Sequence, residues 1–128
     1  MIVVLFSIAM RDDADAEAEA EASDRMWSLV STMPGFISYK AYSAADGETI
    51  AVVRFESREA LDEWKRHPEH RETQERARNE WYDEYWIQAS ETFREYRFTR
   101  SGGYERIPHE VFTKGARPPA VVGDRSRP

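Results

Sequence analysis

The stretch Tyr42-Ser43-Ala44-Ala45-Asp46-Gly47-Glu48-Thr49-Ile50-Ala51-Val52-Val53-Arg54-Phe55-Glu56-Ser57 (residues 42–57) decides the fold. Asp46-Gly47 supplies the positive φ that a tight hairpin turn demands, so two antiparallel strands meet there. Thr49 to Glu56 is the returning strand, β-branched and apolar on both sides except at Arg54. Phe36 to Ala44 is the strand that leads in, with Phe36, Ile37, Tyr39 and Tyr42 as its large residues. Ser57 is an N-cap type and closes the hairpin region by opening a helix. Its inner face is Ala60, Leu61 and Trp64.

Working outward, Pro68 disfavours helical geometry at His67 and restarts a second helical piece from Glu69 to Asn79. Trp81-Tyr82 then leads into a last strand, expected from Tyr85 to Phe98. Upstream of the hairpin, Pro34-Gly35 ends a long helix from Ala14 to Met33. Its apolar stripe is read as Ala18, Ala22, Met26, Leu29 and Met33, with the alternating Ala and Glu of residues 16–21 as the solvated face. Ile2 to Ala9 opens the chain as a strand that is apolar at odd and even positions alike, hence covered on both faces.

The order is β-α-β-β-α-β, an α+β ferredoxin-like sandwich with a four-stranded antiparallel sheet and helices on one face. Helices on one face leave the other to a second copy of the chain, so a homodimer through the sheet face, a dimeric α+β barrel, is expected. Residues 1–98 form this domain. From Thr99 to Pro128 the composition turns to Gly and Pro, with six Lys+Arg against three Asp+Glu, and reads as a basic tail with Tyr104, Ile107, Val111 and Phe112 as anchors.

The 128 residues carry a formal charge of −6, which repels nucleic acid and anionic membrane surfaces. The absence of cysteine removes disulfides, thiol nucleophiles and cysteine metal sites. The apolar opening lacks a basic leader, and no run approaches a membrane span, so the cytoplasm is the expected compartment. There is no nucleophile elbow, phosphate-cradling loop or Rossmann glycine pattern, and His67 with His70 lacks the geometry of a helical metal pair. No cofactor or metal is expected.

The informative constellation is His70, Gln74, Ala77 and Trp81, which share one helical face. Two polar side chains among apolar ones on a face turned toward the sheet predict a partly polar cavity. Trp64 from the preceding helix, and Ser7, Arg54 and Phe55 from the strands, would complete its walls, with His67 and Tyr85 as further ligand contacts. His70 would serve as base or hydrogen-bond partner, and Gln74 and Arg54 would orient or stabilise an anion. For Arg54, a carboxylate partner across the dimer is the competing reading.

Met33-Pro34-Gly35-Phe36, Phe55-Glu56-Ser57 with Ala60-Leu61 and Trp64, His67-Pro68-Glu69-His70, and Trp81-Tyr82 together resemble the antibiotic biosynthesis monooxygenase domain family over residues 1–98. The resemblance implies a dimeric α+β barrel. It also implies oxidation of a small aromatic or polyketide-type molecule by O₂ without metal or flavin. Positions used by the polyketide oxygenases of that family correspond to Ala51, Phe55, Leu61 and Gln74 here, which are different residue types. The haem-degrading branch of the superfamily would place its Asn, Trp and His at Ser7, Trp64 and Gln74, so only the Trp is kept. A non-catalytic dimeric module that binds a small ligand or a partner is the alternative function; a haem-binding protein is a third.

Overall fold

The computed structural model describes residues 1–105, so Ile107, Val111 and Phe112 lie outside the described residues. The elements run β1 (Ile2–Met10), α1 (Ala16–Val30), β2 (Phe36–Ser43), β3 (Thr49–Phe55), α2 (Arg58–Arg66), α3 (Pro68–Glu80) and β4 (Tyr82–Glu91), followed by a short hairpin, β5 (Arg97–Thr99) and β6 (Gly103–Glu105). The four-stranded sheet has the order β2-β3-β1-β4 and every neighbouring pair is antiparallel. This is the expected α+β ferredoxin-like arrangement, with the second helical segment broken at Pro68.

Local chemistry sets the boundaries. The Asp15 side chain accepts from the Ala18 N–H at 3.1 Å and caps α1. Ser57 does the same for α2 through the Ala60 N–H at 3.1 Å. At the α2–α3 break the imidazole Nδ1 of His67 takes the Glu69 N–H at 3.2 Å, so His67 is a helix cap and Pro68 opens the next helix. Gly35 has φ +84°, and a Cβ placed on it would stand 2.5 Å from the Ala60 Cβ. Only glycine lets the start of β2 pass this close to α2.

The last strand stops short of the expected Phe98. Its register with β1, its neighbour among the described residues, ends at Ile2 opposite Glu91, and Thr92 N–H donates to the Met1 carbonyl at 2.9 Å. The chain instead folds into the β5–β6 hairpin, which spans the position where the composition changes. Among the described residues, no helix is long and apolar enough to cross a membrane.

Residues alternate between sheet faces along each strand. Ile2, Val4 and Phe6 of β1 lie opposite Phe55, Val53 and Ala51 of β3 and Glu91, Ala89 and Ile87 of β4, on the face under the helices. The core gathers Ile2, Val4, Val30, Phe36, Phe55 and Trp64 there. Val3, Leu5, Ile50 and Val52 belong to the other face, together with Trp86, which is 61% exposed. None of the helices among the described residues covers that face.

Met26, Leu29 and Met33 of the expected α1 stripe pack against the core, but the deepest face of the helix is turned from that stripe. Its buried residues are Glu19, Trp27 and Val30, so Glu19, far from standing on a solvated face, is the one buried charged residue of the described chain. A run of alanines offers no bulk to orient a helix, and Trp27 takes the interior position instead.

Candidate functional site

A cavity of about 440 Å³ opens between the helices and the sheet. Val4 and Phe6, Tyr39, Val53 and Phe55, and Ile87 with Ala89 line it from the strands. Met26, Trp27 and Val30 close it from α1, and Leu61 and Trp64 from α2. From α3 come His70, Thr73, Gln74 and Ala77, with Trp81 from its C-cap. The lining is mainly apolar and aromatic with few polar groups, which is the usual make-up of a small-molecule site, and the volume falls in the usual range.

His70 is the most constrained of these. Its ring stacks on Trp64, with centroids 4.2 Å apart and planes inclined by 20°. Nδ1 lies 3.1 Å from the Trp64 carbonyl oxygen, which can only accept, so Nδ1 carries the proton and Nε2 holds the lone pair. Burial pushes the imidazole down to about 4; the nearby His67 and Lys65 push the same way, and the Trp64 carbonyl bond opposes them. His70 is therefore neutral at pH 7, in one tautomer and one orientation.

A second polar group, not anticipated from the sequence, stands where α1 faces the start of β4. The buried Glu19 carboxylate accepts from the Tyr82 hydroxyl at 2.6 Å and from Ser23 Oγ at 3.0 Å, through the same oxygen, Oε2. Ser23 and Tyr82 both line the cavity. The signal was present as the four-residue spacing of Glu19, Ser23 and Trp27, one helical face. At the rim, Arg25 of α1 grips Glu69 of α3 with two bonds of 3.0 and 2.8 Å and ties the two helices together.

The structure brings His70, Gln74, Trp64, Phe55, Ala77 and Trp81 together around one cavity. It places four other expected contacts elsewhere. Arg54 lies opposite Val3 and Ser7 opposite Ile50, both on the sheet face away from the helices, because each is one residue out of phase with Phe55 and Phe6. His67 packs on Trp64 with 5.8 Å between ring centroids and caps α3, without lining the cavity. Tyr85 is on the helix side but outside the cavity, edge-on to Phe6 at 5.7 Å, with its hydroxyl accepting from Arg78 at 3.1 Å. Among the described residues, no group of three or more His, Asp or Glu could hold a metal ion.

Residues 1–76 match the family model of the antibiotic biosynthesis monooxygenases. The chain is 30% identical over 93 residues to the uncharacterised protein YqjZ of Bacillus subtilis, an alignment covering 73% of this chain and 79% of YqjZ. Among solved structures it is similar to Rv0793 from Mycobacterium tuberculosis, with TM-score 0.65 and 25% identity over 73% of this chain and 96% of that one. It is also similar in fold to a variant of SnoaB, a cofactor-independent oxygenase from Streptomyces nogalater. That match has TM-score 0.62 and 10% identity over 72% of this chain and 92% of that one.

Proposed function

The chain belongs to the antibiotic biosynthesis monooxygenase family, and from that premise we propose that it oxidises a small aromatic or polyketide-type molecule with O₂ in the cavity between helices and sheet. The observation that carries the reading is His70: a neutral imidazole clamped between the Trp64 ring and the Trp64 carbonyl, in a mainly apolar cavity.

Triplet oxygen reacts with closed-shell molecules only through one-electron steps, and an electron-rich phenol or its anion is a competent donor. In the net reaction a ring CH₂ becomes C=O; one oxygen atom enters the product and the other leaves as water. All four electrons come from the substrate, which is why a cofactor-independent course is chemically complete. An imidazole held near 4 is too weak a base to strip a ground-state phenol outright. It accepts the phenol hydrogen bond through Nε2 and takes the proton as the electron departs, when the oxidised phenol has become a strong acid. Gln74, one turn along α3, would orient the substrate oxygen, while Trp64, Trp81, Phe55 and Ala77 wall it off from water.

A homodimer is part of the reading. Val3, Leu5, Ile50 and Val52 form an apolar sheet face that no helix among the described residues covers, and a second copy packed sheet to sheet would bury it, bringing Arg54 and Ser7 to that interface and not to the reaction.

The test is oxygen uptake by metal-free protein with phenolic and anthrone-type substrates. Turnover is expected to fall at least about 100-fold in His70→Ala, the usual yield of a positioned acid–base group. Unchanged turnover in that variant would remove His70 from the reaction, and binding without any oxygen uptake would leave a non-catalytic ligand carrier.

A further inference from the structure

Glu19, the one buried charged residue of the described chain, takes no part in the reaction proposed for the cavity. A carboxylate is costly to bury, and a neutral side chain of similar size avoids that cost. What the charge supplies here is a base. The Tyr82 hydroxyl donates to Oε2 at 2.6 Å, in the short range of charge-assisted O–H···O⁻ bonds, and Ser23 Oγ donates to the same oxygen at 3.0 Å. Tyr82 also lines the cavity. A phenol in the wall thus has its proton already directed at a carboxylate.

That arrangement governs how easily the ring loses an electron. A phenol oxidised with its proton still in place is a cation, which a mainly apolar wall strongly disfavours. When the proton crosses to a carboxylate as the electron leaves, the products are a neutral phenoxyl radical and a neutral carboxylic acid, and no charge stays buried. The neighbouring ring is placed the opposite way. Tyr85 lies 6.3 Å from Tyr82 between centroids, but its hydroxyl accepts from Arg78 at 3.1 Å, and a guanidinium at the phenol oxygen opposes removal of an electron. An oxidising equivalent that reaches Tyr82 is therefore held there and does not pass on to Tyr85.

We propose that Tyr82 and Glu19 form a redox-active pair: Tyr82 gives one electron to an oxidising radical in the cavity while its hydroxyl proton passes to Glu19. With an organic peroxyl radical as the oxidant, ROO• takes the electron from Tyr82 and a proton from the medium and becomes ROOH. Tyr82 is left as the neutral phenoxyl radical and Glu19 as the carboxylic acid. One electron returned by a soluble reductant of the ascorbate class restores both, as the proton goes back from Glu19 to Tyr82. The pair so drains radicals that stray from productive oxygenation. The source of the oxidant rests on the oxygen chemistry proposed above, whereas the test of the pair supplies an oxidant from outside.

Azide radicals made by pulse radiolysis oxidise tryptophan, Trp86 foremost because it is 61% exposed, and absorption then follows the indolyl radical as it decays and a tyrosyl radical as it grows. The native protein is expected to show a fast tyrosyl phase that slows in D₂O, since the proton moves with the electron. Tyr82→Phe should lose that phase and keep only slower transfer to other tyrosines. In Glu19→Gln the amide oxygen still accepts the hydroxyl bond but cannot take the proton, so the phase should slow at least about tenfold. Ser23→Ala keeps both members of the pair and should keep the phase, which separates proton transfer from packing. A Glu19 that merely anchors α1 to β4 would leave the rate native in Glu19→Gln. That result, a fast phase that survives Tyr82→Phe, or a native phase indifferent to D₂O overturns the pair. None of these readouts involves oxygen uptake, so failure of the pair and failure of the proposed oxygenation are read separately.

Discussion

Burial of a neutral His70 makes the stability of the fold depend on pH, and the size of the effect follows from the structure. The imidazole has an ordinary value of 6.5 when the chain is unfolded and is pushed down to about 4 by burial in the native protein. Between these values the unfolded chain binds a proton that the folded one refuses, so stability rises with pH across the window and is lost as pH falls from 6.5 toward 4. At pH 4.5, most of the way through, the loss amounts to about 2.5 kcal/mol relative to pH 7.5. That is a large fraction of the total stability of a domain of this size. The assay is urea unfolding at pH 7.5 and 4.5 for the native protein and for His70→Gln, which keeps polarity but cannot titrate. With typical urea slopes, the native midpoint should drop by roughly 1–2 M more than that of the variant. Subtracting the variant cancels the carboxylates that titrate at the lower edge, Glu69 among them, which the Arg25 guanidinium holds below its ordinary value. Equal pH responses of the two proteins would show that His70 is accessible to protons when folded, and the argument for a fixed neutral imidazole would fail.

Gly35→Ala should cost about 2–4 kcal/mol, because the new methyl meets the Ala60 Cβ at 2.5 Å and the backbone stays at φ +84°; a thermal midpoint close to that of the native protein would refute the close approach of β2 to α2. Leu5→Asp, on the apolar sheet face, should leave far-ultraviolet circular dichroism unchanged while converting a sedimenting dimer at micromolar concentration into a monomer; a native protein already monomeric there would sink the sheet-to-sheet assembly.

The fold was legible because its decisive signals are local and steric. Asp46-Gly47, Ser57 and Pro68 each act within one turn of chain, and the structure puts a hairpin turn, a helix cap and a helix break at those points. The end of β4 was not legible. Residues 92–98 include Phe93, Tyr96 and Phe98, good strand formers, but the pairing with β1 ends at Glu91 and residues 97–99 pair instead with β6. Nothing inside residues 82–98 carries that information. The rotation of α1 was half legible: Trp27 outweighs any alanine in buried area and should have set the stripe, which then runs through Ser23 and Glu19.

The site divides along the same physical line. Periodicity finds residues on a helical face, so the sequence alone groups His70, Gln74, Ala77 and Trp81, and the structure sets all four around one cavity. On strands the same reasoning depends on parity, and with apolar residues at odd and even positions of β1 and β3 alike the pattern does not tell which face the helices take. Parity therefore leaves Ser7 and Arg54 unplaced, and the structure sets both on the face away from the helices, off the cavity but on the side expected for the competing reading of Arg54. What no pattern carries is where a proton goes. The Nδ1 hydrogen of His70 and the hydroxyl hydrogens of Ser23 and Tyr82 are each directed to an acceptor that becomes a neighbour only on folding: the Trp64 carbonyl in one case, the Glu19 carboxylate in the other. Both commitments turn a side chain that can donate or accept into one that only accepts toward the cavity. The chemistry available to a ligand is thus set less by which polar residues line the cavity than by the partners that hold their protons behind it.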